Sequence, residues 1–214
     1  MQAFEVQAQD LTSLPAPLRE ASTVLVMPAT ETAAAQQAAR LMVQRSGQDG
    51  AVLLIAYDHA GEGFVKVANR CFAVTRSPYF GYVAQDAFAG RKWLHKAIKA
   101  LESSQKGLLG FNDGKWSGLL ASFGLGRRDW LAGNYPGGEL FCPDYQRHYA
   151  DTEITALALG NQQYCYDPNA VLIEVDWNKD GKAVNPQDKA LFAERKRQWL
   201  PTRMQQPQIL EMFN

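Results

Sequence analysis

Apolar and polar residues follow two rhythms along the first half of the chain. Val24-Leu25-Val26-Met27-Pro28 is a short, β-branched run closed by proline, the pattern of a buried strand. Ala35, Ala38, Ala39 and Met42 then fall at i, i+3, i+4 and i+7, one face of a helix, and Ser46-Gly47 supplies its stop. Ala51 to Tyr57 is a second unbroken apolar run. Phe64, Val67, Ala68, Cys71, Phe72 and Thr75 share the face of a second helix. Tyr79 to Ala84 predicts a third strand, and Trp93, Leu94, Ala97, Ile98 and Leu101 a third helix. Gly107 to Phe111 predicts a fourth strand.

Strands alternating with helices imply right-handed crossovers and a mainly parallel sheet. Strands that are apolar throughout, rather than every second residue, belong to a sheet covered on both faces. The expected fold class is therefore α/β, a single domain with helices on both faces of a mainly parallel sheet. The second half has a looser pattern. Gly114 to Pro143 is rich in glycine and aromatics, and so long a segment in a small domain is more often a binding loop than filler. Asp151 to Leu159 reads as helix, and Ala170 to Val175 as strand. Pro186 to Leu200 reads as a helix with proline at its start and Arg195-Lys196-Arg197 near its end.

Composition narrows the function classes. The 214 residues, 46% hydrophobic and 21% charged, carry 22 Lys+Arg against 22 Asp+Glu. That length suits one domain with a full core. Zero net charge gives no global field for holding a polyanion, which disfavours a nucleic-acid or membrane binder driven by bulk charge. Cys71, Cys142 and Cys165 show no CxxC spacing, so neither a disulfide framework nor a zinc site is expected. Met1 to Arg19 carries Glu5 and Asp10 without an apolar centre, unlike a secretory signal. The longest apolar runs fall far short of the ~20 residues of a membrane span. A cytoplasmic setting is expected.

Several chemistries have no motif support. There is no GxxxxGK[ST], no GxGxxG after the first strand, no GxSxG and no HExxH. His59, His95 and His148 are scattered. What remains is a set of polar and acidic strand ends: Thr30-Glu31, Asp58-His59, Gln85-Asp86 and Asn112-Asp113. In open α/β sheets, ligands bind at these carboxyl ends. Asp58 can accept hydrogen bonds from a base or ribose, and equally reads as a helix cap or turn residue. Asp86 can hold a divalent cation between phosphates, or shape a turn. Asp113 lies in Asn112-Asp113-Gly114, itself a natural turn. Asp151 stands where a helix begins, either as a capping residue or as a general base aimed into a cleft.

Taken in order, these features resemble a known family. They are Asp58 at a strand end, Val67-Ala68-Asn69-Arg70 in a helix, Tyr82-Val83-Ala84-Gln85-Asp86, Trp93-Leu94, Gly107 to Gly114, and His148-Tyr149-Ala150-Asp151-Thr152-Glu153-Ile154. The arrangement looks like the GT-A-fold, family-two-like glycosyltransferases of phage and bacterial type. The resemblance covers roughly Ala21 to Leu200 and implies a GT-A-like, Rossmann-like domain over 21–200, with a nucleotide-sugar half at 21–113 and an acceptor half at 114–200. Residues 1–20 are then an N-terminal extension and 201–214 a tail.

The resemblance implies an inverting transfer from a nucleotide-diphospho-sugar to an acceptor hydroxyl. Thr30, Glu31, Asp58, Asn69, Asn112 and Asp113 would lie about the donor, and Asp86 would hold Mn²⁺ or Mg²⁺ on the diphosphate. Asp151 would be the general base, with Glu153 in reserve. Asp176, in Ile173-Glu174-Val175-Asp176-Trp177, would stand in for the metal-side histidine often found after the last core strand. The acceptor is open among a glycan, a protein, a small molecule and a modified nucleic-acid base. The sequence departs from the family in having one acid in Ala84-Gln85-Asp86-Ala87 and Ala150 before Asp151.

These departures keep two rival readings in play. One is a GT-A-like binding module without catalysis. The other is a sugar nucleotidyltransferase, which Pro28-Ala29-Thr30-Glu31 supports poorly for want of a glycine-rich basic loop. Asp176-Trp177-Asn178-Lys179-Asp180-Gly181 also fits the start of a calcium loop, but its twelfth position is Gln187.

Overall fold

The computed structural model describes residues 1–175 and 184–213. Asp176 and the calcium-loop motif fall outside the described residues. Eight strands form one curled sheet: β1 (Gln2–Gln7), β2 (Thr23–Ala29), β3 (Ala51–Tyr57), β4 (Tyr79–Tyr82), β5 (Ala87–Ala89), β6 (Leu108–Asn112), β7 (Gly124–Arg127) and β8 (Tyr164–Glu174). Their spatial order is β1-β3-β2-β4-β7-β6-β8-β5. Seven α-helices accompany them among the described residues: α1 (Ala16–Arg19), α2 (Thr32–Arg45), α3 (Phe64–Val74), α4 (Trp93–Ser104), α5 (Arg128–Ala132), α6 (Ala150–Gly160) and α7 (Pro186–Gln198).

The central strands explain their own composition. In β2, Val24 and Val26 enter one buried cluster while Leu25 and Met27 enter the other. Because successive side chains point to opposite faces, a strand covered on both sides must be apolar throughout. Helices α2 and α4 cover one face and α3 and α6 the other. The Trp93 indole donates to the Met42 carbonyl at 2.9 Å and joins α4 to α2.

Residues 2–7 form β1, which pairs in parallel with β3 along its whole length. Leu200 and Leu210 are buried in the cluster that holds α6. The pattern gave no warning of β7. It lies antiparallel to both β4 and β6, and its Gly124-Leu125-Gly126 lacks the branched residues that mark strands. Glycine is needed there. A Cβ on Gly124 would meet the Tyr82 hydroxyl at 2.5 Å, and one on Gly126 the Gly107 carbonyl at 2.9 Å.

Helix α6 is buried nearly all round, with Ala150, Glu153, Ile154, Thr155, Ala156, Leu157 and Ala158 inside. Glu153, fully buried, is paired by the Arg195 guanidinium at 2.7 and 2.9 Å and accepts the Tyr145 hydroxyl at 2.8 Å. Arg195 also lies 4.0 Å over the Trp199 ring. Removing one partner of such a pair strands a buried charge, so Glu153→Gln is expected to destabilise the fold by about 3–5 kcal/mol in urea unfolding. A loss under 1 kcal/mol would show that the pair is replaceable.

Candidate functional site

Strand β7 reverses direction twice across the sheet, so β6 and β8 run parallel to β2, β3 and β4. The carboxyl ends of all five strands therefore lie on one edge. Hydrogen bonds tie the loops there into a row. The Gln85 side-chain oxygen accepts from the Thr30 and Glu31 amides at 2.9 and 3.0 Å. The Asp86 carbonyl accepts from Val175 at 3.0 Å, and the Asp113 carbonyl from Glu174 at 3.1 Å. Gln85, part of the sequence motif but given no role there, is thus what fixes the loop after β2.

Above this row stands the start of α6. Its cap, Tyr149, holds the left-handed conformation (φ 66°, ψ −7°), uncommon for a large side chain and frequent where surrounding structure over-determines a functional position. Asp151 follows in the first turn, its Oδ1 accepting the Thr152 amide at 2.8 Å. Burial pushes the Asp151 carboxyl up to about 6, with the nearby Glu174 carboxylate adding to the rise and the Thr152 bonds opposing it. A helix N-terminus alone would lower the value, so loss of water outweighs the helix dipole here. Asp151 also adds to the burial that raises the Tyr82 phenol, which places it over the end of β4. Glu174, the last residue of β8, completes the surroundings; its position at a strand end was the signal that could have singled it out.

The other expected site residues have assignments of their own. Both Asp58 oxygens accept backbone amides, Glu62 and Gly63 at 2.8 Å each, which is the loop-closing arrangement ahead of α3. Asn69 pairs twice with the Phe141 backbone at 2.9 Å, pinning the long loop to α3. Asn112 donates to the Pro168 carbonyl at 2.9 Å and accepts the Gly114 amide at 3.1 Å. Asp113 is fully buried, accepting the Lys115 and Trp116 amides at 2.9 and 2.8 Å and the Ser122 hydroxyl, and so shapes the 113–122 loop. Glu153, the reserve base of the sequence reading, has its carboxylate enclosed with Arg195 and Tyr145.

Asp86 sits half-buried in the turn between β4 and β5. Among the described residues, no three His, Cys, Asp or Glu side chains converge as a metal shell. An open groove of about 570 Å³ lies elsewhere, against β1 and α2, lined by Ala3, Glu5, Gln36 and Arg40 among others. None of the row's residues contributes to it. No described helix is long and apolar enough to cross a membrane.

No protein-family profile matches this chain, and no curated protein matches it by sequence. Solved structures do. A mannosyltransferase, PcManGT, from Pyrobaculum calidifontis in complex with GDP-Man and Mn²⁺ aligns over 96% of this chain and 79% of its own, with 14% identity and a TM-score of 0.54. S. aureus TarS 1-349 with UDP-GlcNAc aligns over 85% and 66%, with 13% identity and a TM-score of 0.55. Glucosyl-3-phosphoglycerate synthase from Mycobacterium tuberculosis with Mg²⁺ and UDP aligns over 91% and 86%, with 9% identity and a TM-score of 0.55. These neighbours are nucleotide-sugar glycosyltransferases of the GT-A type, and the chain has the GT-A fold.

An aspartate whose value is raised by burial favours folding when protonated, a contribution lost as pH rises through about 6. Asp151→Asn removes the cost of the buried charge. The variant is expected to melt roughly 2–6 °C above the parent chain at pH 8, with the difference vanishing at pH 4. Equal melting temperatures at both pH values would contradict a desolvated Asp151.

Proposed function

We propose that this chain is a glycosyltransferase that moves a sugar from a nucleotide-diphospho-sugar to an acceptor hydroxyl with inversion, using Asp151 as general base. The observation that carries the reading is Asp151 itself: a carboxylate over the carboxyl edge, held at one oxygen by Thr152 and raised by burial to about 6. That value suits proton abstraction near neutral pH. The GT-A fold supports the reading, as do neighbours holding GDP-Man, UDP-GlcNAc and UDP.

In this mechanism the acceptor hydroxyl gives its proton to the Asp151 carboxylate while its oxygen bonds to the anomeric carbon. The bond from that carbon to the diphosphate breaks on the opposite face, and the electron pair leaves with the nucleoside diphosphate. The donor's nucleoside lies along the Thr30–Glu31 loop that Gln85 fixes, beside the Asp58 turn and the Asn69-anchored segment. Its diphosphate lies toward Asp86, and the acceptor docks over residues 114–200. Among the described residues no three His, Cys, Asp or Glu side chains form a metal shell. A cation at Asp86 would need donor oxygens and further side chains to complete its coordination. Free Cys71, Cys142 and Cys165 suit a reducing, cytoplasmic setting.

A second reading, a GT-A-like binding module, draws on that lone acid at the Asp86 motif. A thermal-shift screen of UDP, GDP and other nucleoside diphosphates, with and without Mn²⁺, tests the shared element. At least one is expected to raise the melting temperature, and silence from all would defeat both readings. Asp151→Asn is then expected to lower donor hydrolysis or transfer by roughly 10²–10⁴-fold while keeping the shift. The parent rate should fall as pH drops below about 6, because the base is then protonated. Donor binding without turnover in the parent chain would leave the binding module.

A further inference from the structure

We infer that Asp188 of α7 is a positioning residue for the reaction, holding the backbone that delivers Asp151 to the cleft. The inference rests on the glycosyltransferase reading for what Asp151 does, but its geometry stands independently.

Asp188 is buried, with 1% exposure. Its Oδ1 accepts the Gln146 amide at 2.9 Å, and its Oδ2 accepts those of Arg147 and His148 at 2.9 and 2.8 Å. One carboxylate thus gathers three consecutive amides immediately ahead of α6. An aspartate in the first turn of a helix ordinarily serves its own helix. Here that need is already met, because the Asn185 side chain caps α7 through the Gln187 and Asp188 amides at 2.9 and 3.2 Å. Asp188 is therefore turned outward to a different segment.

Further contacts tie the same two pieces together. The Asn185 amide donates to His148 Nδ1 at 3.3 Å, and its side-chain nitrogen to Gln146 Oε1 at 3.0 Å. One helical turn beyond Asp188, Phe192 stacks on Tyr149, with ring centroids 5.0 Å apart and planes 17° from parallel. Tyr149 is the left-handed residue whose conformation sets the direction in which α6 departs. The chain 146–149 is clamped at its amides by Asp188 and at its ring by Phe192, and Asp151 follows two residues later. Packing fixes the body of α6, which is buried on most sides, while the clamp fixes the segment that leads into its first turn.

Asp188→Asn keeps the shape but replaces one accepting oxygen with a donor, so it cannot hold all three amides. In the full chain it is expected to lower kcat for donor turnover by roughly 10-fold or more, as small misplacements of a reacting group do. The donor KM and the thermal shift with UDP or GDP should be kept. Arg128→Lys, a substitution at a half-buried guanidinium that closes the end of α3, serves as the control for lost stability alone. An unchanged kcat in Asp188→Asn, or an equal kcat loss in the control, would overturn the inference.

If the parent chain turns over no donor, the glycosyltransferase reading fails but the clamp is still tested. The ¹³C titration of the Asp151 carboxyl is expected to move down toward the ordinary range in Asp188→Asn, and no movement overturns it. Should Asp188→Asn not fold, Phe192→Leu frees only the Tyr149 ring. A kcat loss at constant KM supports the clamp, and parent-like kcat counts against it.

Discussion

The arrangement of the strand-end loops depends on one close-packed strand. β7 fits between β4 and β6 because Gly124 and Gly126 leave room for the Tyr82 hydroxyl and the Gly107 carbonyl. By running antiparallel to both neighbours, it restores the direction of β2–β4 in β6 and β8. Without that double reversal, the loops after β4 and β6 would emerge on opposite edges. Gln85, Asp86, Asp113 and Glu174 share one edge because two glycines permit a strand where side chains would not fit.

On this frame, helix geometry separates two carboxylates that are close in sequence. Asp151 and Glu153 are two residues apart, about 200° around the helix axis, so they cannot face the same surroundings. Glu153 turns into the core, where Arg195 and Tyr145 satisfy it. Asp151 lies near the Glu174 carboxylate, losing water without gaining a cation, and its carboxyl rises to about 6. A fully paired carboxylate suits structure, whereas a desolvated one with few partners is ready to take a proton.

The long apolar strands and the helices between them were legible because burial on both faces leaves a direct mark on composition. Ala51 to Tyr57, for example, reads as strand and forms one over the same bounds. β1 was missed because as an edge strand it is largely exposed, and its Gln2 to Gln7 carries no apolar run. Of the candidate site, Asp151 and the strand-end loops were visible as positions. The occupations of Asp58, Asn69 and Asp113 were not, since each is set by backbone amides that no side-chain pattern reveals.

The sequence by itself determined the α/β alternation, the two-sided sheet and the likeness to GT-A transferases, all of which follow from local periodicity and the order of motifs. Tertiary structure alone decided which acids are paired in the core and which lose water with few partners. It also decided that Asp188, 37 residues after Asp151 in the sequence, would support the approach to it. A carboxylate's chemistry depends on water and partners brought from distant segments, and those are settled only when the chain has closed on itself.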